Sequence, residues 1–245
     1  MQHTDQELFN HLTALRLRYT AENLENLTAS LSGRTPREIL SHITAIELAE
    51  QKNRSIARRL AAAGIGRYKR MEDFDWKHPL EINRAKIENL FLNDFTKLGK
   101  NLVIIGTQGL GKTMIARNLA AKAVHNGHTA RFITASKICS DLLCAGHRLE
   151  SRLRYYANVD LLIIDELGYL SYQDKAADML FEVISRRYEK SPIVLTTNLT
   201  FAEWPQVFPG AACVSSILDR LIHHCEIIQI KGPSYRKKRD DETPR

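Results

Sequence analysis

The sequence predicts an α/β protein in which a parallel five-stranded sheet with flanking helices follows a small all-helical N-terminal domain. Three observations support this prediction. Residues 103–105 form an apolar segment that runs into a glycine-rich loop and then into a helical pattern. Four further apolar segments alternate with helical stretches, which is typical of a parallel sheet buried on both faces. Residues 1–66 show helical spacing alone.

Composition and charge limit the classes of protein to consider. The 245 residues are 44% hydrophobic and 26% charged, as in an ordinary water-soluble protein. No apolar run approaches the roughly 20 residues of a membrane span, so we expect a cytoplasmic protein without a membrane partner. The formal net charge of +7 favours a polyanionic partner, although an ordinary basic enzyme is compatible with it.

The cysteines show no metal-binding or redox spacing. Cys139, Cys144, Cys213 and Cys225 form no C-x-x-C pair, and the nine histidines add no ligand pattern to them. We therefore expect reduced, structural thiols and no zinc.

Two capping boxes mark helix starts in the N-terminal domain. The run Thr-Asp-Gln-Glu at 4–7 precedes leucines at helical spacing and predicts a first helix of about four turns. The run Thr-Pro-Arg-Glu at 35–38 places proline at the first helical position and predicts a longer helix that ends at Gly64.

These patterns divide the chain into four parts. Phe74 and Trp76 are expected to anchor an extended linker to the domain that follows it. The predicted parts are a helical domain at 1–66 for DNA or oligomer contacts, the linker at 67–81, an α/β domain at 82–232 and a disordered tail at 233–245.

The α/β domain is predicted to begin with a helix over 82–92. Its strands are predicted at 103–105, 129–133, 160–164, 192–197 and 226–230.

The glycine-rich loop fits the pattern G-x-x-x-x-G-K-T at 106–113 without exception. Its glycines let several backbone N–H groups converge on triphosphate oxygens, and the following helix directs its positive end at them. Lys112 is expected to reach the β- and γ-phosphates, and Thr113 to offer its hydroxyl to Mg²⁺. The predicted ATP contacts are Gly106, Thr107, Gln108, Gly109, Leu110, Gly111, Lys112, Thr113 and Met114.

Two carboxylates end the third predicted strand, at the edge of the sheet where ligands of α/β proteins collect. The segment 161–164 is apolar, and Asp165 and Glu166 follow it in a Walker B pattern. Asp165 is expected to complete the Mg²⁺ site with Thr113, and Glu166 to polarise the attacking water.

Asn198 and Arg220 are the remaining catalytic candidates. In nucleotidases of the additional-strand class, an extra strand lies between the two Walker strands. In this arrangement Asn198 would end that strand, beside the γ-phosphate. Taken alone, an asparagine after a strand is usually a turn residue. Arg220 fits an arginine finger supplied to a neighbouring subunit, and a local pair with Asp219 is the alternative.

A basic stretch without acidic residues lies between Glu50 and Glu72. It is either a surface that tracks DNA phosphates or a solvated helix face followed by a basic linker. Its candidate DNA contacts are Lys52, Arg54, Arg58, Arg59, Arg67 and Lys69.

With these motifs the chain resembles the IstB-like transposition helper ATPases, relatives of the DnaC helicase loaders within the AAA+ superfamily. The resemblance rests on Asp-Glu-Leu-Gly-Tyr-Leu at 165–170, the run at 197–204 that ends in Phe-Ala-Glu-Trp, and Leu-Asp-Arg-Leu-Ile-His-His at 218–224. It implies an ATPase that oligomerises on duplex DNA, shares active sites between subunits and recruits the transposase of an insertion sequence.

The resemblance also implies an extra helix within 136–158. Arg148, Arg152 and Arg154 there are candidate DNA contacts, and a solvated helix face is the alternative. About 15 residues follow Ile230, so the helical lid of AAA+ proteins is expected to be reduced or absent. Arg236 matches the family's terminal motif and is the candidate second sensor.

Two other functions remain open at this point. A DnaC-like loader would bind single-stranded DNA and a helicase, whereas a metabolic phosphoryl transferase would need an acceptor pocket. Preference for duplex over single-stranded DNA separates the first from a transposition helper, because single strands call for stacking aromatic side chains.

Overall fold

The computed structural model describes residues 2–168, 174–208 and 212–235. The chain divides into two compact units, Met1–Arg58 and Arg59–Arg245. The sequence patterns place this boundary after residue 66, eight residues later than the contacts do. Residues 59–66 therefore belong to the second unit. Among the described residues, no helix has both the length and the apolar character needed to cross a membrane.

The first unit is helical, as predicted. Its helices are α1 (Gln2–Ala14), α2 (Arg18–Glu22), α3 (Leu24–Ser30) and the beginning of α4 (Pro36–Ala63). The Thr35 cap of α4 is confirmed: its backbone N–H donates to Glu38 Oε2 at 2.8 Å, and the Glu38 N–H donates to Thr35 Oγ1 at 3.4 Å. The other predicted cap is wrong, because α1 already begins at Gln2 and Thr4 lies within its first turn.

A buried carboxylate links the helices of the first unit. Glu47 of α4 is 2% exposed and accepts hydrogen bonds from the backbone N–H and the hydroxyl of Thr20 at 3.1 and 3.2 Å. Arg54, also on α4, reaches the other carboxylate oxygen at 3.0 Å. Burial alone would raise the pKa of Glu47, but these bonds lower it and keep the group charged.

The second unit alternates helices and strands in the predicted order. Its helices are α5 (Arg84–Leu92), α6 (Lys112–His125), α7 (Ala135–Leu143), α8 (Leu149–Asn158), α9 (Asp174–Arg187), α10 (Trp204–Val207) and α11 (Val214–Ile222). Its strands are β1 (Asn101–Gly106), β2 (Ala130–Thr134), β3 (Leu161–Leu167), β4 (Ile193–Thr197) and β5 (Cys225–Ile230). The stretch predicted to hold an extra helix contains both α7 and α8.

The five strands form one parallel sheet in the order β2-β3-β4-β1-β5. Strand β4 lies between β1 and β3, and the pairs Val103–Leu195 and Ile163–Val194 fix its register. The inner strands are almost wholly buried, which agrees with their continuous apolar sequences. The carboxyl ends of β1, β3 and β4 therefore meet at one edge.

Arg187 links the segments at the amino ends of β3 and β4, which is the edge of the sheet opposite these carboxyl ends. It is 1% exposed, and its guanidinium donates to the backbone oxygens of Tyr156, Val159 and Pro192 at 2.7–2.8 Å. Burial lowers the pKa of Arg187 to about 10, so the side chain is charged at neutral pH. The C-terminal end of α8 is thereby joined to the start of β4.

A second charged contact ties the chain before β1 to the start of β2. Asp94 accepts a hydrogen bond from Thr96 and lies 2.8 Å from Nε2 of His128. Burial would raise the pKa of Asp94, but these two partners lower it to about 2.

Candidate nucleotide site

The predicted phosphate-binding loop joins β1 to α6. Gly109 and Gly111 have φ of 78° and 84°, in the left-handed region that favours glycine. A Cβ on Gly111 would lie 2.5 Å from Cε2 of Phe74, and one on Gly106 would lie 2.5 Å from the Ile230 oxygen. The loop therefore needs glycine for conformation and for close packing.

Lys112 begins α6 and is buried in the loop. Its Nζ donates to the backbone oxygens of Gly106 and Thr107 at 2.6 and 2.7 Å. The ammonium is thus held inside the ring of loop backbone, where the first N–H groups of α6 also point.

The two Walker segments meet through a side-chain hydrogen bond. Thr113 Oγ1 donates to Asp165 Oδ1 at 3.1 Å, although the two residues lie 52 positions apart. Asp165 is 2% exposed at the carboxyl end of β3. A hydroxyl and a carboxylate at this separation are the ligand types that Mg²⁺ prefers.

Thr196 of β4 contacts both Walker B residues. Its hydroxyl donates to Asp165 Oδ1 and accepts from the Glu166 backbone N–H at 3.0 Å. The sequence showed that β4 ends in polar residues, but we predicted a role for Asn198 only. Thr196 was missed because its contact with Asp165 depends on the residue register of β4 against β3, which the sequence does not show.

Glu166 has a backbone conformation that few non-glycine residues adopt. Its φ is 62°, and the pairing of β3 with β4 shifts register between Ile164 and Leu167 around it. The left-handed conformation costs a residue with a Cβ about 1 kcal/mol. The bond to Thr196 helps to hold it, and the Glu166 side chain is exposed in the cleft beside the loop.

This cleft, of about 560 Å³, gathers most of the predicted nucleotide contacts. An adjoining cavity brings Asn198 together with Thr107 and Gln108, and its place beside the γ-phosphate stays a prediction. The residues lining the main cleft are Lys69, Gln108, Gly109, Leu110, Gly111, Lys112, Thr113, Met114, Glu166 and Tyr235.

The predicted linker forms part of the same site. Phe74 is buried and lies with its ring centroid 4.6 Å from that of Trp76. Phe74, His78 and Tyr235 line a small cavity of about 120 Å³ that continues the phosphate cleft past Met114. Sequence reasoning placed the aromatic residues at 74 and 76 as anchors and did not connect them with ligand binding.

The segment after β5 fastens the linker to the loop. Tyr235 N donates to the Gly109 oxygen at 3.2 Å, and Nε2 of His78 lies 2.8 Å from the Pro233 oxygen. The rings of His78 and Tyr235 meet edge to face at 4.8 Å. The segment after β5 therefore contacts both the loop and the linker.

Arg220 does not line the cleft of its own chain. It donates to the hydroxyl of Ser185, and its guanidinium lies 4.5 Å from the ring centroid of Phe181 on α9. It shares a cavity with Asn101 and Pro192, at the amino ends of β1 and β4. This is the opposite edge of the sheet from the phosphate loop.

The basic residues of the linker differ in what they contact. The backbone oxygens of Arg67 and Lys69 accept bonds from Arg117 and Asn118 of α6 at 3.1 and 2.9 Å. The Lys69 side chain lines the phosphate cleft. Arg59, which lies in α4 before the linker, donates to the Gly127 oxygen.

The remaining candidate DNA contacts fall into two groups. Arg54, Arg152 and Arg154 are in ion pairs with Glu47, Asp141 and Glu150 at 3.0, 2.6 and 2.9 Å. Lys52, Arg58 and Arg148 are exposed.

Several predictions lie outside the described residues. These are the second-sensor role of Arg236, the reduced lid, the tail beyond Tyr235 and the motif residues at 169 and 170.

The chain has an AAA+ P-loop fold. Its defining features are the loop between β1 and α6, the acidic end of β3 and the strand β4 that lies between β1 and β3. Residues 10–243 match the family described as IstB-like ATP binding protein, and the chain belongs to this family.

Named relatives come from bacterial insertion sequences. The chain is 34% identical to an IS5376 protein of Geobacillus stearothermophilus over 201 residues, which is 81% of this chain and 80% of that protein. It is 32% identical to an IS232 protein of Bacillus thuringiensis subsp. berliner over 242 residues, 97% of each chain. Both relatives are named for ATP binding.

Solved structures share the fold at low sequence identity. The crystal structure of DnaI aligns with a TM-score of 0.57 at 20% identity, over 69% of this chain and 91% of that one. The replication initiator DnaA bound to AMPPCP and single-stranded DNA aligns with a TM-score of 0.52 at 18% identity, over 64% and 51%.

Proposed function

We propose that the protein is the ATPase of an insertion sequence, which oligomerises on duplex DNA when it holds ATP and recruits the element's transposase. The observation that carries the ATPase assignment is the hydrogen bond from Thr113 to Asp165 beside the phosphate loop. It joins two distant motifs in the arrangement that ATP and Mg²⁺ require. The family and the insertion-sequence relatives support the biological setting.

ATP binds with its phosphates in the loop and its base toward the linker. Lys112 turns from the loop oxygens to the β- and γ-phosphates, which offer it charged acceptors in place of neutral ones. The cavity bounded by Phe74, His78 and Tyr235 accepts the base, because it combines apolar rings with polar edges. Lys69 lines both spaces, so we assign it to the nucleotide and not to DNA.

Thr113 and Asp165 would hold Mg²⁺, which would neutralise charge on the phosphate oxygens. The pair fits this role because the hydroxyl and the carboxylate already face each other at 3.1 Å. Thr196 fixes the carboxylate from the other side.

Hydrolysis uses Glu166 and Asn198. Glu166 accepts a proton from the attacking water, and Asn198 orients that water or the γ-phosphate. Thr196 is a positioning residue: its hydroxyl holds Asp165 and the Glu166 backbone together.

Arg220 completes the site of a neighbouring subunit. Its place at the far edge of the sheet supports this, because it lines no part of its own phosphate cleft. Hydrolysis then depends on assembly, and ATP affinity and DNA affinity rise together by linkage.

DNA binding rests mainly on contacts with phosphates. The net charge of +7 and the exposed side chains of Lys52, Arg58 and Arg148 support low sequence preference and steep salt dependence.

ATP hydrolysis by the full chain with and without duplex DNA tests the ATPase assignment. Lys112→Ala is expected to abolish nucleotide binding. Glu166→Gln should retain ATP, stay on DNA and hydrolyse slowly. Faster DNA release by Glu166→Gln than by wild type would contradict the proposed direction of the switch.

Mixing two inactive variants tests the shared site. Lys112→Ala keeps Arg220, whereas Arg220→Ala keeps an intact nucleotide site. A mixture is expected to regain part of the wild-type rate, because some junctions combine both intact halves. A mixture as inactive as its components would refute a finger supplied by the neighbouring subunit.

A further inference from the structure

Three exposed side chains with metal-ligating atoms converge at the edge of the sheet opposite the phosphate loop. Glu189, His223 and His224 each offer one ligand atom, and these atoms lie within 4.8 Å of one another. Glu189 and His223 are 56% and 51% exposed, so a dissolved ion can reach them.

The fold explains why these residues meet. Helices α9 and α11 pack against each other, and both end at this place: α9 at Arg187 and α11 at Ile222. The C-terminal end of a helix carries partial negative charge, which favours a cation. The three ligands follow these two helix ends directly.

The residue next to Glu189 supports the cluster. The hydroxyl of Tyr188 lies 3.0 Å from Nδ1 of His223, and Oε1 of Glu189 lies 3.8 Å from the same nitrogen. In metal-binding histidines such a hydrogen bond engages the ring nitrogen that does not bind the metal, so Nε2 is the expected ligand atom of His223. The His223 ring is therefore already held in place.

The backbone at Glu189 adds an independent observation. Its φ of 57° lies in the left-handed region just after a helix, where glycine is favoured. A residue with a Cβ adopts this conformation only at an energetic cost. The conformation brings a carboxylate to the two imidazoles at this cost.

We propose that Glu189, His223 and His224 bind a divalent transition metal of the zinc class. Two imidazoles and one carboxylate suit Zn²⁺, Co²⁺ or Ni²⁺ better than Mg²⁺, which prefers oxygen ligands. Tetrahedral zinc with bonds of about 2.1 Å needs ligand atoms about 3.4 Å apart. The exposed side chains reach that spacing by small rotations, and the fourth position is open to water.

The site lies beside Arg220, since Glu189, His224 and Arg220 line one cavity. It is separate from the Mg²⁺ ligands Thr113 and Asp165 at the other edge of the sheet. Failure of this proposal therefore leaves the ATPase proposal intact, and the reverse also holds.

The test is metal titration of the full chain after removal of metals with a chelator, in the absence of nucleotide. Calorimetry with Zn²⁺ is expected to show one saturable site per chain. Co²⁺ is expected to give visible absorption typical of nitrogen and oxygen ligands. Zn²⁺ should also raise the unfolding temperature of the wild-type protein.

Variants identify the ligands. His224→Ala, His223→Ala and Glu189→Gln are each expected to weaken Zn²⁺ binding at least about tenfold and to remove the thermal shift. His147→Ala is the matched control, because this exposed histidine lies outside the cluster, and it should bind as wild type does.

Two results would overturn the proposal. One is Zn²⁺ binding that is absent from the wild type or unchanged in all three variants. The other is a sulfur-to-cobalt charge-transfer band, which would place a cysteine thiolate in the metal site instead. Circular dichroism checks that each variant is folded.

Discussion

Removal of the Thr196 hydroxyl tests the proposed organisation of the catalytic carboxylates. Thr196→Val keeps the shape of the side chain but loses the bond to Asp165 and the bond from the Glu166 N–H. A bond to a charged group contributes about 1.5–3 kcal/mol, and one between neutral groups about 1 kcal/mol. Glu166 also loses a contact that holds its left-handed backbone.

If roughly half of this loss, about 1.2–2 kcal/mol, falls on the transition state, kcat decreases about 8- to 30-fold. The assay is steady-state ATP hydrolysis with saturating duplex DNA, with ATP affinity measured separately. Affinity is expected to change little, because the loop and Lys112 are untouched. The effect therefore appears in kcat.

Two matched variants separate positioning from stability. Thr196→Ser keeps the hydroxyl and should retain most of the wild-type kcat. Thr129→Val removes a similar hydroxyl, which donates to Asp160 Oδ2 at 2.9 Å and accepts from the Asp160 N–H at 3.0 Å. This pair lies at the amino ends of β2 and β3, so its loss should lower stability and leave kcat unchanged. A Thr196→Val enzyme with wild-type kcat would refute the reasoning.

Three further predictions follow from other contacts. Lys69→Ala is expected to weaken ATP binding several-fold, because the side chain lines the phosphate cleft, whereas Lys52→Ala should leave ATP affinity unchanged; equal effects would contradict the assignment. Arg187→Met should lower the free energy of unfolding in urea by about 3 kcal/mol, because several buried oxygens lose their donor. Arg186→Met removes an exposed ion pair and should lower the free energy of unfolding by less than about 1 kcal/mol. Folding lowers the pKa of Asp94 to about 2, so this carboxylate stabilises the fold by up to about 2 kcal/mol above pH 4, and the stabilisation disappears as the pH falls through 2. In Asp94→Asn the free energy of unfolding should therefore fall less steeply with decreasing pH on the acid side. An unchanged pH dependence would contradict this.

The parts of the fold that depend on local pattern were predictable from the sequence. The phosphate loop needs glycine at fixed spacing, and fully buried strands need continuous apolar runs. The position of β4 between the Walker strands is confirmed. The cap of α4 is another local feature, and its reciprocal bonds are present.

Contacts between distant segments were not predictable in the same way. Phe74 and Tyr235 line the same cavity beside the loop although 161 positions separate them. The basic residues near 150 looked alike in sequence, but Arg152 is engaged with Asp141, which comes from α7. The approach of Glu189 to His223 and His224 was not predicted, because more than 30 positions separate Glu189 from the two histidines.

The central claim is that ATP and duplex DNA together drive assembly. Light scattering at one fixed salt concentration, with ATP and Mg²⁺, measures particle mass with duplex DNA, with single-stranded DNA and without DNA. Large particles are expected with duplex DNA alone, and not with the Lys112→Ala variant. Assembly on single strands alone would favour a helicase loader, and an unchanged monomer mass in every sample would contradict the account.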